Sequence, residues 1–412
     1  MPLPSIDQLR QDTPGVRHGI HLNNAGAALS PRGVHDTIVG HLEAEIEMGG
    51  YEAARARASR IEEAYRSVEA LVGASEGTIA FVENATVGFT QALSAFDFRR
   101  GDRILTTRHD YASNHIQYLA LGDRFGVETE VAPETPEGGV DPSGAMDLIR
   151  RRRPRLVAMT HIPTGSGVVQ ELEPIGGLCR ELEIPFLVDA CQSVGQMPVD
   201  VEALGATFLS ATSRKFLRGP RGSGFLYVSP RALDAGYMPL FPDMRGADWV
   251  ADGLAQPAPD ARRFENWEFS WALVLGTGAA ARYALELGVE DIRQRAWGLA
   301  HRLREGVSAL DGVTLLDRGA LLSAIVTLDP AGAGEAMVEK LGAMGIRTSW
   351  VDRSSAVLDY DSRGVEGALR LSPHAYNTEA EIDLAIDAVE ESMRALRTRN
   401  EPARRSPRAT GG

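Results

Sequence analysis

The chain has 412 residues, 43% of them hydrophobic and 24% charged, which is enough for two or three domains with real cores and too apolar for wholesale disorder. Its 43 Lys+Arg stand against 56 Asp+Glu, and a net charge of −13 argues against nucleic-acid binding by phosphate neutralisation. No window approaches the roughly 18–20 unbroken apolar residues of a membrane helix. The N-terminus shows no basic flank leading into an apolar stretch, and Cys179 and Cys191 give no disulfide framework, so a cytoplasmic protein is expected.

In chain order, the first twenty residues read as an extension with a short helix. From about Gly77 short apolar runs alternate with helical patterns. Strands are predicted at Thr78–Val82, Arg103–Thr107, Leu156–Thr160, Ile184–Asp189, Ala206–Ser210 and Gly224–Val228, with helices such as Pro142–Arg152 and Ile175–Leu182 between them. Apolar strands separated by helices predict a parallel sheet covered on both faces, an α/β fold. Helices are expected over Thr277–Leu287 and Val289–Leu310. Then Val313–Leu316, Ala324–Leu328, a helix, Ile346–Trp350, Ala368–Ser372 and a last helix from Glu379 to about Arg397 read as a smaller α+β domain. The boundaries are therefore 1–20, 21–288, 289–398 and a disordered tail, 399–412. The Arg150–Arg153 run reads as the cationic last turn of a helix.

Only two lysines occur, Lys215 and Lys340; the other 41 basic residues are arginine. A lysine can lose its proton and act as a nucleophile, which arginine cannot do. Lys340 lies in a charged helical stretch and reads as a surface residue. Lys215 follows a strand end, Thr212 and Arg214, and precedes a Gly-rich turn, a setting that suits a bound phosphate beside a nucleophilic amine. Asp189 ends an apolar strand. It is either a cap for the following turn or a carboxylate that keeps a heterocyclic nitrogen protonated, as pyridoxal phosphate (PLP) requires. Glu83–Thr90 follows a strand and opens a helix, so backbone N–H groups near Ala85 and Thr86 can hold a phosphate.

In these residues and their order the chain resembles a fold-type I PLP enzyme of the class V aminotransferase family, which includes cysteine desulfurases and isopenicillin N epimerase-like proteins. The resemblance spans roughly His21 to Arg397. It implies a large domain with a mainly parallel seven-stranded-type sheet, a small C-terminal domain and a homodimer with active sites near the subunit interface. Val188–Gly195 resembles the family strand that carries the pyridine-nitrogen Asp and a Gln at the ring hydroxyl, which assigns Asp189 and Gln192. Lys215 is then the Schiff-base lysine, with Thr212 and Arg214 at places often held by Ser and His. Asp110–Asn114 puts Tyr111 where an aromatic ring stacks on the cofactor, and His109 reads as structural. Thr160–Gly167 puts Thr164 near the ring oxygen or the substrate. Asn23–Ala27 brings Asn24, Ala25 and Gly26 towards the substrate carboxylate, and Arg370, within Arg370–Glu379, binds that carboxylate.

The pattern also departs from the family. Between Ile346 and Arg370 there is no cysteine of the kind a desulfurase needs to accept sulfur, and Cys191 is expected to pack against the sheet. Arg263–Trp271 is bulky, with Trp267, Glu268, Phe269 and Trp271 either reshaping a neighbouring active site or packing an interface. Gly276–Ala281 fits a loose dinucleotide fingerprint, but close helix packing explains it better, and His18 with His21 lacks a third metal ligand. The resemblance implies an enzyme acting on an α-amino acid through an external aldimine and α-carbanion, leaning to a C–S β-elimination lyase on a cysteine-derived conjugate. Transamination, epimerisation and oxidative decarboxylation are the alternatives, with a non-catalytic PLP-fold ligand binder a second. No metal, nucleic-acid or membrane partner is expected.

Overall fold

The computed structural model describes residues 3–331 and 333–400. Seven strands form the main sheet: β1 (Ile79–Val82), β2 (Arg103–Thr106), β3 (Glu128–Val131), β4 (Leu156–Thr160), β5 (Phe186–Asp189), β6 (Phe208–Thr212) and β7 (Gly224–Val228). Their order is β1-β7-β6-β5-β4-β2-β3. Adjacent pairs are parallel from β6 to β3, while β7 runs antiparallel to both β6 and β1. The sheet is thus mainly parallel, as expected, with β7 its antiparallel member. β7 returns from β6 through the short loop 213–223, and a loop without a crossover helix can only reverse the chain.

Alternation along the strands covers both faces. Val157, Met159, Phe186, Val188, Leu209 and Ala211 enter one core, with the helices Ala58–Val72, Pro142–Arg152, Glu173–Glu181 and Trp271–Leu287. Leu156, Ala158, Leu187, Phe208 and Leu226 enter the other, under Ala85–Ser94 and Ala112–Phe125. Each fully buried Phe or Leu contributes about 1.5–3 kcal/mol. The expected strand Ile184–Asp189 starts two residues later, because Glu183 takes a left-handed φ of 56° and Pro185 has no N–H for the ladder. The strand expected at Ala206–Ser210 is also displaced two residues on, after the turn at Gly205 (φ 62°), and this brings Thr212 into the strand.

The later block is a four-stranded antiparallel sheet in the order Val313–Leu315, Val326–Pro330, Gly367–Leu371, Ser349–Asp352. Helices Val289–Ser308 and Glu379–Asn400 pack on one another and feed its core. The last helix carries the chain to Asn400, so the expected tail lies outside the described residues except for its first two. The first twenty residues hold a short helix, Ile6–Gln11, capped by Ser5. They pack on the C-terminal block: Arg10 pairs with Glu381 at 2.7 Å, and Ile20–His21 runs parallel to Ile346–Arg347. Leu22, Ala25, Ile162 and Phe216 belong to the later block's core although they come from earlier segments. The ends of β4, β5 and β6 therefore lie between two cores. Among the described residues no helix is long and apolar enough to cross a membrane, and no cluster of side chains could hold a metal.

Candidate active site

The carboxyl ends of parallel strands in an open α/β sheet open onto a crevice, and here that crevice is a cavity. Its lining includes Ala85, Thr86, Tyr111, Thr164, Asp189, Gln192, Thr212, Arg214 and Lys215, so every residue read from the sequence as a cofactor contact comes to one place. Asn84, Asn114, Thr160, Ile162 and Cys191 complete it.

Each wall has a local cause. Asn84 caps the helix Ala85–Ser94 by accepting from the Val87 N–H at 3.0 Å. The first-turn N–H groups of Ala85 and Thr86 have no carbonyl four residues back to bond, and they sit at the positive end of the helix dipole. Gly224 lets β7 approach that turn, since a Cβ there would lie 2.5 Å from Ala211 O and 3.1 Å from Ala85 N. Asp189 ends β5 with its carboxylate taking the Cys191 N–H at 2.9 Å and Asn114 Nδ2 at 3.2 Å. Asn114 is held in turn by Asp110, a buried carboxylate. Asp110 also accepts from Thr106 and Tyr118 (2.7 Å each), Thr160 (2.5 Å) and the Tyr111 N–H (2.8 Å). One buried network thereby fixes both Asp189 and the start of the turn that carries Tyr111.

Lys215 is 8% exposed, and its Nζ stands 5.9 Å from the centre of the Tyr111 ring. Its turn is braced from below by Thr277, whose hydroxyl meets Ser213 Oγ at 3.0 Å and Ser223 Oγ at 2.8 Å. Thr277 lies in mid-helix, within Trp271–Leu287, and not at the helix start expected for it. Its flanking Gly276 and Gly278 are faced by Ile38 and Ala64, where a Cβ would meet atoms at 2.6 Å and 2.4 Å. Close helix packing accounts for Gly-Thr-Gly.

Burial pushes Asp189 above the ordinary carboxylate range and pulls Lys215 below the ordinary lysine range, each opposed by the other's charge. A cationic ring nitrogen beside Asp189 would restore the carboxylate's charge. Gln192 donates to Ala25 O at 3.1 Å and Thr164 Oγ1 at 3.4 Å, while its Oε1 is buried without a partner and could accept from a ring hydroxyl. A carboxylate for a ring nitrogen, an unpartnered acceptor for a hydroxyl, free N–H groups for a phosphate and one enclosed amine fit PLP.

The predicted substrate contacts flank the cavity. Arg370, on the strand Gly367–Leu371, gives Nη1 to Thr164 Oγ1 (2.6 Å) and Thr164 O (3.1 Å). Burial pulls its pKa down to about 10, so it stays cationic at neutral pH. Ala25 and Gly26 present carbonyls to Gln192 and Arg214. The Asn24 side chain is not brought to the cavity; it is buried on Ser372 O (2.7 Å) and Tyr376 Oη (2.5 Å). Instead Asn23 reaches Arg370, at 3.5 Å. Cys191 does not pack against the sheet as expected. The turn after Asp189 swings it onto the cavity wall, where burial, and then the Asp189 charge, pushes its thiol far up. His109 lies outside the cavity lining, with Nε2 2.7 Å from Glu134.

This is the construction of a fold-type I PLP enzyme. Comparison with known proteins agrees. Residues 20–384 match the model of the family described as Aminotransferase class-V. Over 398 residues the chain is 28% identical to a probable cysteine desulfurase of Methanothermobacter thermautotrophicus, covering 93% of this chain and 97% of that one. Over 392 residues it is 29% identical to a probable hercynylcysteine sulfoxide lyase of Mycobacterium tuberculosis, covering 93% and 92%. The apo cysteine desulfurase of Thermococcus onnurineus superposes with a TM-score of 0.86 at 26% identity over 96% of this chain and 99% of that one. The chain belongs to the class V aminotransferase family, whose members are PLP-dependent enzymes.

Proposed function

We propose that the protein is a C–S lyase that cleaves an S-substituted cysteine by β-elimination, with Lys215, Asp189 and Arg370 as its working residues. Bound PLP would supply an electron sink for negative charge at the substrate Cα. Asp189 would hold the ring nitrogen cationic, Gln192 the ring hydroxyl, and Ala85, Thr86, Thr212 and Arg214 the phosphate, with Tyr111 against the ring. Arg370 takes the substrate carboxylate: with Nη1 given to Thr164, the Nε–Nη2 edge stays open for a two-pronged contact, and Nε is buried without a partner. Lys215, driven towards its neutral form by burial, takes the α-proton as a general base. The Cα–H and Cβ–S bonds break, the thiol leaves with a proton, and hydrolysis of the remainder yields pyruvate and ammonia.

The observation that carries the choice of branch is the segment 353–363. A desulfurase needs a mobile cysteine before the carboxylate-binding arginine. Here Arg353–Ser355 and the helix Val357–Arg363 hold no cysteine and are tied down by Arg353–Asp361, Arg363–Asp359 and Tyr360. With no sulfur acceptor there, the sulfur departs with the leaving group, as the name of the mycobacterial sulfoxide lyase also suggests. The division into a cofactor domain, 21–288, and a small domain, 289–398, is part of this reading. So is a homodimer, for which Ile46, Phe241 and Trp249, each more than 80% exposed, supply apolar surface for a second copy. Two unpaired cysteines suit a cytoplasmic location. The test is to supply the PLP-loaded enzyme with S-alkyl-L-cysteines and their sulfoxides. Pyruvate and the freed sulfur compound in equal amounts support the proposal; alanine from L-cysteine, or conversion of the cofactor to its amine form with release of an oxo acid, overturns it.

A further inference from the structure

The turn that follows β4 carries Thr164, which receives the Arg370 guanidinium. Two more side chains from the C-terminal block hold this turn away from the cavity, and a third braces one of them. Tyr360, fully buried, donates its hydroxyl to Gly165 O at 3.1 Å. Asp317, its side chain inaccessible, accepts from the Gly167 N–H at 3.2 Å and from Thr327 N and Oγ1 at 3.0 Å and 2.5 Å. Arg304 holds Asp317 through Nε at 2.7 Å and spans the carbonyls of Ser323 (2.9 Å) and Ile325 (2.5 Å) with Nη2. The glycines of the turn follow from this contact. A Cβ on Gly165 would stand 3.1 Å from both Ala356 Cβ and the Tyr360 hydroxyl, and one on Gly167 would stand 2.3 Å from Ile325 O.

A buried ion pair is a poor source of stability, because desolvation offsets its attraction, but one tied by further hydrogen bonds to the backbone around it defines one geometry. We propose that Tyr360 and the Arg304–Asp317 pair are positioning residues for substrate recognition: by holding the turn 164–167 they let Thr164 aim the Arg370 guanidinium with its Nε–Nη2 edge towards the substrate carboxylate. Thr164 occupies Nη1 with two acceptors, and Asn23 Oδ1 touches Nη2 only at 3.5 Å. Release of the turn frees the guanidinium to rotate, and the fork is then no longer pre-organised. This rests on the reading of Arg370 as the carboxylate's partner.

The test separates the two ideas. L-Alanine, which has no leaving group, and ethylamine, its counterpart without the carboxylate, are titrated into PLP-loaded enzyme. The perturbation of the cofactor's absorption gives two dissociation constants, whose ratio measures carboxylate recognition. Tyr360→Phe and Asp317→Asn should each lower the preference for alanine about tenfold, the effect of misplacing about one charged hydrogen bond, with ethylamine affinity unchanged. Arg370→Lys should lower it further. Should Asp317→Asn fail to fold, Tyr360→Phe, which removes a single hydroxyl, carries the test. If Arg370→Lys lowers the ratio and the positioning variants leave it at the wild-type value, the positioning role is overturned and the Arg370 reading stands. If Arg370→Lys also leaves it unmoved, both fall.

Discussion

His374 offers a way to test the packing around the site without touching its chemistry. The ring is buried in a stack, 5.9 Å from Phe216 at 25° and 5.4 Å from Tyr376 at 12°. Its Nδ1 accepts the Ala375 N–H at 2.8 Å, so the proton sits on Nε2, which donates to Phe216 O at 3.0 Å. A second proton would have to displace the Ala375 contact inside an apolar stack. Burial, and then the Arg218 guanidinium 4.7 Å over Tyr376, pull the His374 pKa down to about 3 from an ordinary 6.5. The folded state thus stays neutral where the unfolded chain takes up a proton, and stability is lost as pH falls below 6.5. At pH 5 the gap of 1.5 pH units below the unfolded value is worth about 2 kcal/mol, against about 0.1 kcal/mol at pH 7.5. Urea unfolding of the apoprotein at the two pH values, for wild type and His374→Gln, isolates this contribution. His161, pulled down to about 4 by burial, and the raised carboxylates Asp189 and Glu265 act alike in both proteins. Wild type should lose about 2 kcal/mol more than the variant between pH 7.5 and 5. Equal losses would refute the buried neutral imidazole.

Asp189→Asn keeps the shape of the side chain and its bond from Cys191 but removes the charge. It should weaken PLP binding by roughly 10- to 100-fold, the scale of one charge-assisted hydrogen bond, as read by equilibrium dialysis. Gly176→Ala would place a Cβ 1.8 Å from Leu204 O, a backbone atom that cannot swing aside. It should cost about 3 kcal/mol in denaturant unfolding while leaving PLP affinity near wild type in the folded fraction.

The parts of the site with short-range signatures were legible in the sequence. Asp189 ends an apolar strand, Lys215 is one of two lysines in an arginine-rich chain, and Asn84–Thr86 opens a helix straight after a strand. The fold class was legible from the alternation of apolar runs and helical spacing. What escaped depends on distant partners. Asp110 and Asn114 from one chain segment and Thr160 from another are linked to Asp189 through Asn114, and nothing local marks them as one network. The edge strand β3 is half exposed and polar, Glu-Thr-Glu-Val, and lacks an apolar run. The long helices Arg32–Met48 and Ala58–Val72 were not anticipated, since the polar and charged residues on their exposed faces dilute the apolar spacing. Gly276 and Gly278 masked the interior of a helix because their reason lies on the helices packed against it.

The proposed chemistry depends on Lys215 being the residue that joins the cofactor. The most direct measurement is borohydride reduction of the PLP-loaded protein followed by mass spectrometry of its peptides. With only Lys215 and Lys340 as lysine sites, the assignment has two possible lysine outcomes. Lys340 lies partly exposed on the helix Ala336–Ala343, with its Nζ 3.4 Å from Ser392 O, and is not part of the cavity lining. A stable PLP adduct is expected on Lys215, absent from a folded Lys215→Ala variant. An adduct confined to Lys340, or no adduct in a protein that binds PLP, would contradict it.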